Sequence, residues 1–306
     1  MPRTLAADVE VTRADVVESR HFVHAAVVGA NDALEATARD ASLVTMWRSC
    51  AKPFQVLPFL ASGGFDQLGW GTEELALACA SHGGEPEHVA LAGRMLDAIG
   101  LEQGDLACGP HEPLSTRGAR LARELGTPLS RLHNNCSGKH AAMLARAFTS
   151  GWATQGYERA DHQVQRACVA EVASWSGVPL DDMALGVDGC GVVVMGLPLD
   201  RMATAYARWA RAVQAGEEHP ARTAAAIRAH PHLLGGADRF DTVLIEETGG
   251  RVISKVGAEG VHCAAVPELG LGVTIKVEDG AIRAQHIALL RVLQLIRSEE
   301  HTSELQ

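Results

Sequence analysis

Three of the four lysines in this 306-residue chain fall inside short motifs that could do chemistry, while twenty-three arginines supply the rest of the fixed positive charge. Arginine keeps its proton at any ordinary pH, whereas lysine can become a base or a lone-pair donor, so lysines that survive in an Arg-rich chain mark places that need this ability. Lys52 closes Ser49-Cys50-Ala51-Lys52, Lys139 sits in Asn134-Asn135-Cys136-Ser137-Gly138-Lys139-His140, and Lys255 opens Lys255-Val256-Gly257-Ala258-Glu259-Gly260. In the first motif a serine hydroxyl, a weak nucleophile alone, has a lysine one helical turn away that can take its proton. Keeping that lysine neutral at pH 7, against a reference value of about 10.4, costs about 4 to 5 kcal/mol. Burial and a second nearby cation can supply this, and Lys255 is the candidate for that cation.

The elements that must position these groups follow from hydrophobic period and turn signals. From Val9 to Ala38 the pattern is short and β-rich, with strands over Val9–Arg13, His21–Ala30 and Leu34–Ala38. After Ser49, apolar Phe54, Leu57, Phe59 and Leu60 predict a short helix ending at Ser62-Gly63-Gly64, with Ser49 and Lys52 on one face. Residues 66–235 carry the period of helices, over Glu73–Cys79, Pro86–Ile99, Pro113–Leu125, Lys139–Phe148, Asp161–Ser174, Arg201–Ala215 and Ala221–Ala229. The apolar run Met183–Leu199, broken by Asp188-Gly189-Cys190-Gly191, predicts a buried strand entering a Gly-rich loop. Thr242–Ile282 returns to strands at hairpin spacing, and Ala284 begins a final helix. This order predicts an α+β fold: one mainly antiparallel sheet built from both chain ends, with the helical middle folded over it and a cleft where the Ser49 helix meets the Lys255 strand. Lys255-Val256-Gly257 then lies on a strand, where the missing Cβ of Gly257 leaves room for a substrate alongside. Lys276, in Val273-Thr274-Ile275-Lys276-Val277, alternates with apolar residues as a solvent-facing strand lysine would, and is the competitor for the role of Lys255.

A hydrophobic content of 47% over this length is enough for one substantial core, and a net charge of −10 argues against nucleic acid and anionic membranes as partners. The beginning of the chain has no apolar leader and no run is long enough to cross a bilayer. Seven irregularly spaced cysteines favour free thiols or metal ligands in a reducing compartment, and a cytoplasmic protein is expected. Residues 297–306, Arg-Ser-Glu-Glu-His-Thr-Ser-Glu-Leu-Gln, look like the translation of a sequencing-adapter oligonucleotide. The expectation is a single domain over residues 1–296, with the natural end of the last helix missing.

Ser-x-x-Lys on a helix and Lys-x-Gly on a late strand resemble the serine β-lactamase and penicillin-binding-protein architecture. Cys136 and Cys190 lie outside that pattern and read alone as buried thiols. Taken together, Arg48-Ser49-Cys50-Ala51-Lys52, Ser81-His82-Gly83-Gly84, the Asn134–His140 motif, Asp188-Gly189-Cys190-Gly191 and Lys255–Gly260 resemble the asparaginase II family, the third class of L-asparaginases, over nearly the whole chain. The resemblance implies a serine β-lactamase-like fold and release of ammonia from L-asparagine; the alternatives are glutamine, a lactam or another amide as substrate, or a non-catalytic zinc or amino-acid binding protein on the same scaffold. It implies Ser49 as nucleophile, Lys52 as its base, and a second pair formed by Ser81 and Lys255. It also implies a zinc ion on Cys136, Lys139 and Cys190 with water completing the shell, and it allows a homodimer. Two thiolates suit tetrahedral zinc, while a lysine ligand must first lose its proton. Arg48, His140 and Asp188 are the candidates for meeting the charges of a free amino acid, whose carboxylate suits Arg and whose ammonium suits Asp.

Overall fold

The two ends of the chain meet in the middle of one six-stranded sheet, ordered in space as Arg3–Thr4, Leu34–Ala38, Val23–Val28, Leu271–Val277, Val261–Val266 and Ile253–Val256. In this computed structural model, residues 1–303 are described, with side chains for residues 1–296; the tail set aside at 297–306 lies outside those side chains. Val23–Val28 and Leu271–Val277 run antiparallel in the register Val23↔Val277 to Val28↔Gly272. The other neighbouring pairs are antiparallel too, apart from the two-residue outer strand Arg3–Thr4. The sheet built from both ends is therefore present, with helices of residues 52–234 over one face of it and the final helix over the other.

Alternation along the strands sorts side chains between two cores. Val23, Ala25 and Val27 join Val273, Ile275 and Val277 beneath the final helix Ile282–Ser303, which contributes Ala284, Ala288, Leu289 and Val292. Ala26 and Val28 turn the other way, into the larger core of the helical middle. There the helix Leu199–Gln214 presses its backbone onto the sheet at Gly272. A Cβ on Gly272 would stand 2.1 Å from Ala203 O and 2.3 Å from Ala207 N, atoms that cannot step aside.

Three local expectations are corrected. The strand expected over His21–Ala30 divides at Phe22: Val16–His21 pairs with Val9–Arg13 in a separate hairpin, and only Val23–Val28 enters the main sheet. Met183–Leu199 is two strands, Ala184–Val187 and Val193–Pro198, paired across the Asp188–Gly191 turn, with Val44–Met46 on the other side of Val193–Pro198. Its first half is an outer strand, so Leu185 and Val187 are exposed. Phe240–Glu247 is a helix where strand was expected from Thr242, because Asp241, Leu244 and Ile245 recur at helical spacing and are buried together. The segment after Ser49 is helical but broken into Arg48–Ala51, Lys52–Gln55 and Leu57–Ala61, with Pro53 and Pro58 at the breaks. Among the described residues no helix is long and apolar enough to cross a membrane, and all seven cysteines are free and buried.

Gly272→Val should lower the urea midpoint, with a loss of at least about 2 kcal/mol, because overpacking against helix backbone leaves no inexpensive relaxation. Gly109→Ala, where nothing lies within 4 Å of the new Cβ, should change it little.

Candidate active site

Trp47 anchors the turn that presents Ser49. Its ring is fully buried, Nε1 donates to Cys263 Sγ at 3.3 Å, and its backbone N–H donates to Met195 O at 2.8 Å. The next residue, Arg48, takes the left-handed conformation at φ 55°, which costs a non-glycine residue about 1 to 3 kcal/mol and is held by its surroundings. Those surroundings are visible: Arg48 Nε donates to Asp188 Oδ1 at 2.8 Å, tying the Ser49 turn to the Asp188–Gly191 turn. Behind Ser49, Cys50 Sγ donates to Lys255 O at 2.9 Å and Tyr206 Oη donates to Cys50 O at 2.7 Å. The serine segment is thus fastened to the lysine strand and to the helix beneath it. Gly257 completes the junction, since a Cβ there would meet Cys50 Sγ at 3.0 Å and Val261 O at 3.0 Å. Contact with the Ser49 turn, in addition to room for a substrate, is what excludes a side chain at Gly257.

A cleft of about 380 Å³ opens over this junction, lined among others by Arg48, Ser49, Ser81, Asn135, Asp188 and Gly257. A second hollow, of about 280 Å³ beside the last helix, is lined mainly by Leu244, Val252, Val266, Leu269, Leu290 and Leu293 and offers no nucleophile with a base. In the first cleft the Ser49 hydroxyl makes no hydrogen bond among the described residues and is open to an incoming group. The Ser81 hydroxyl is the opposite case: Lys52 Nζ donates to it at 3.0 Å and Lys255 Nζ at 2.9 Å. Lys52 also donates to Ala80 O at 2.5 Å, and Lys255 to Val256 O at 2.9 Å. Ser81 and the two lysines, expected in separate pairs, therefore form one hydrogen-bonded group with Ser81 at its hub, and Ser49 lines the same cleft without a hydrogen bond to either lysine among the described residues.

The position of Ser81 is fixed from both sides. Its N–H donates to Leu234 O at 3.0 Å, and the N–H of His82 donates to Asn135 O at 3.2 Å. His82 Nε2 and Ser137 Oγ share a hydrogen bond at 2.8 Å, and Gly84 N–H donates to His82 Nδ1 at 3.1 Å, so the buried ring couples the Ser81 turn to the start of helix Ser137–Thr149. Burial first, then the neighbouring His88 and Lys52, pushes the His82 pKa well down, so its ring is a neutral structural connector. Burial likewise pushes the Lys255 ammonium down to about 8, aided by the nearby Lys52 charge and opposed by the Asp241 carboxylate. Lys276 lies elsewhere, its Nζ donating to Glu259 O at 2.6 Å and Val277 O at 2.7 Å, where it closes a turn.

Cys136, Lys139 and Cys190 come together at the cleft wall. Lys139 Nζ donates to Cys190 Sγ at 3.1 Å, and the Cys136 thiol hydrogen-bonds the same sulfur. That hydrogen bond, against the opposing effect of burial and with help from Lys139, lowers the Cys190 pKa to about 5, while Cys136 is pushed up to about 12. Among the described residues no three His, Cys, Asp or Glu side chains cluster as a metal site. The set is two sulfurs and an amine, one sulfur already a thiolate, and its donor chemistry fits a zinc ion once Lys139 gives up the proton that the thiolate holds on it.

Of the three substrate candidates, Arg48 and Asp188 face the cleft as an ion pair. Burial acts to raise the Asp188 pKa, but Lys139 and Arg48 outweigh it and the carboxylate stays ionised. His140 is placed apart. It is fully buried, Nδ1 meets Tyr157 Oη at 2.5 Å, and burial and Lys139 push its pKa down to about 3. One residue on from Lys139, it is turned about 100° around the helix, away from the cleft. Gln285 and His286 of the final helix and Arg239 also line the cleft, and Asp241 sits behind the Lys255 strand, bonded to Ser254, Val256 and His262. None of these was marked in the sequence, where they stand far apart without a motif.

No curated protein matches the chain. A family model described as L-asparaginase II matches residues 9–306, nearly its whole length. With this site at the junction of its sheet and helices, the chain belongs to the L-asparaginase II family, a family of amidohydrolases.

Proposed function

We propose that the protein hydrolyses the side-chain amide of L-asparagine to L-aspartate and ammonia through a serine ester on Ser49, on a serine β-lactamase-like scaffold. The observation that carries this reading is the contrast between two serines in one cleft: Ser49 is open and unbonded, whereas Ser81 is held between Lys52 and Lys255. Ser49 Oγ attacks the amide carbon and its proton passes to the Lys52 amine, one turn along. The Ser81 hydroxyl, bonded to both lysines, delivers a proton to the departing nitrogen and is refilled from a lysine ammonium, so ammonia leaves and an aspartyl ester remains on Ser49. A water molecule then attacks the ester, giving its proton to the same amine, and Ser49 is released as the alcohol.

Specificity for a free amino acid is supported by the Arg48–Asp188 pair. Arg48 keeps N–H groups free for the α-carboxylate, and Asp188 keeps carboxylate lone pairs free for the α-ammonium, so a zwitterion can be read by one ion pair. When bound at Cys136, Lys139 and Cys190, zinc would supply a fixed positive charge at the cleft wall. The seven free thiols support work in a reducing compartment such as the cytoplasm.

Ammonia release from asparagine and from glutamine tests the substrate directly, with asparagine turned over faster. Ser49→Ala should lose on the order of 10³-fold or more in kcat while keeping its melting temperature. Lys52→Arg should be nearly as inactive, because the charge remains but no base does. An active, folded Lys52→Arg enzyme would place the base elsewhere. The sign of the pH dependence follows from Lys255, which is an ammonium below about 8 and an amine above it. If its amine form completes the relay, kcat/KM rises through that pH in the wild type, and this rise is missing in Lys255→Arg. Elemental analysis should give about one zinc per chain, and Cys136→Ser or Cys190→Ser should lose most of it because a hydroxyl is a poor substitute for a thiolate.

A further inference from the structure

The buried carboxylate of Asp241 makes three hydrogen bonds, and two of them go to the residues on either side of Lys255. Its Oδ1 accepts from Ser254 Oγ at 2.7 Å and from His262 Nε2 at 2.8 Å, and its Oδ2 accepts from the Val256 N–H at 2.8 Å. Asp241 and His262 are 2% and 0% exposed, so water is not available to replace any of these contacts. His262 stands on the strand Val261–Val266, directly opposite Val256 in the sheet, and its Nδ1 has no hydrogen-bond partner among the described residues. Its ring meets Phe240 at 5.4 Å and His286 at 5.9 Å, so the dyad is packed against the cleft-lining end of the final helix.

We propose that Asp241, with His262 behind it, is the positioning residue for Lys255: a single carboxylate from helix Phe240–Glu247 holds the two neighbours of the lysine and supplies the buried negative charge at its back. The placement is specific to this strand, because residues 254 and 256 point away from the Ser81 side on which residue 255 projects. The groups that face the Lys255 ammonium come from several elements: Ser81, Lys52, Cys50, Cys79, Cys136 and Asp241. Burial leads in keeping the Cys50 and Cys79 thiols protonated, and the Cys190 contact raises Cys136, which leaves Asp241 as the anion of the set. Its removal therefore takes away what favours the charged form of Lys255, while Lys52 continues to oppose it.

Asp241→Asn separates position from charge. The amide oxygen can accept from Val256 N–H, and the two amide hydrogens match Ser254 Oγ and His262 Nε2, both of which can act as acceptors. Asp241→Ala, in contrast, leaves three buried groups unsatisfied. Only four lysines occur in the chain, so the side-chain NMR signals of isotope-labelled lysine can be assigned with Lys255→Arg and followed against pH. The expected result is a Lys255 titration displaced downward by at least about one pH unit in Asp241→Asn, with the fold kept and the low-pH limb of kcat/KM displaced with it. Asp241→Ala should show a lowered melting temperature. An unmoved Lys255 titration in folded Asp241→Asn would overturn the proposal and make Asp241 a structural residue only. The inference rests on the role given to Lys255 above, and the two can fail separately. A displaced NMR titration with an unmoved activity profile would count against Lys255 in the reaction and not against Asp241 as its partner.

Discussion

Two lysines share one hydroxyl oxygen in a place with little water, and most of what surrounds the cleft can be understood from that constraint. Lys52 and Lys255 each lie within 3.0 Å of Ser81 Oγ, so their nitrogens are no more than about 6 Å apart. Two ammonium groups at that separation repel by about 3 kcal/mol at an effective dielectric of about 20, before the cost of burial is added. The arrangement therefore favours a state with one of the pair neutral. A neutral amine beside a serine is what an amide hydrolase without a histidine base requires, and the repulsion that makes the arrangement costly is the same force that makes the base available.

The rest of the fold holds these cations in place against that repulsion. Lys255 is fixed by its strand, by the Cys50 thiol on its carbonyl and by Asp241 behind it. Lys52 is fixed by a helix broken at two prolines and by the carbonyl of Ala80. Ser81 is reached from the helical middle, through Leu234 and Asn135, so the hub belongs to neither end of the chain. The site thus exists only when sheet and helices are assembled together. The Arg48–Asp188 pair extends the logic to the small sheet of Val44–Met46, Val193–Pro198 and Ala184–Val187, because the strained turn at Arg48 is held by a carboxylate from the Asp188–Gly191 turn.

Much of this was legible in the chain, and the limits have physical causes. A sheet built from both ends follows from alternation and turn chemistry; Ser49, Lys52 and Lys255 stand in motifs whose spacing is local, whereas Ser81 was marked only by the family resemblance. The choice between Lys255 and Lys276 was not legible, because both sit on alternating strands and only the strand order decides which one reaches Ser81. The expectation for His140 did not allow for helix geometry: the turn of about 100° that follows Lys139 sends it to Tyr157. Strand was expected from Thr242 because glycine turn signals recur at hairpin spacing after it, yet the burial of Phe240–Glu247 follows the helical period. Asp241, His262 and His286 are brought together solely by tertiary packing, and no sequence spacing announces such a cluster.

The assignment of roles to two serines in one cleft is the central claim, and covalent labelling distinguishes them. Enzyme mixed with L-asparagine, quenched in acid within the first turnover and digested, should carry an aspartyl group on the peptide that contains Ser49, and none on the peptide that contains Ser81. An adduct on Ser81, or turnover with no adduct on either serine under conditions that trap an ester, would contradict the account.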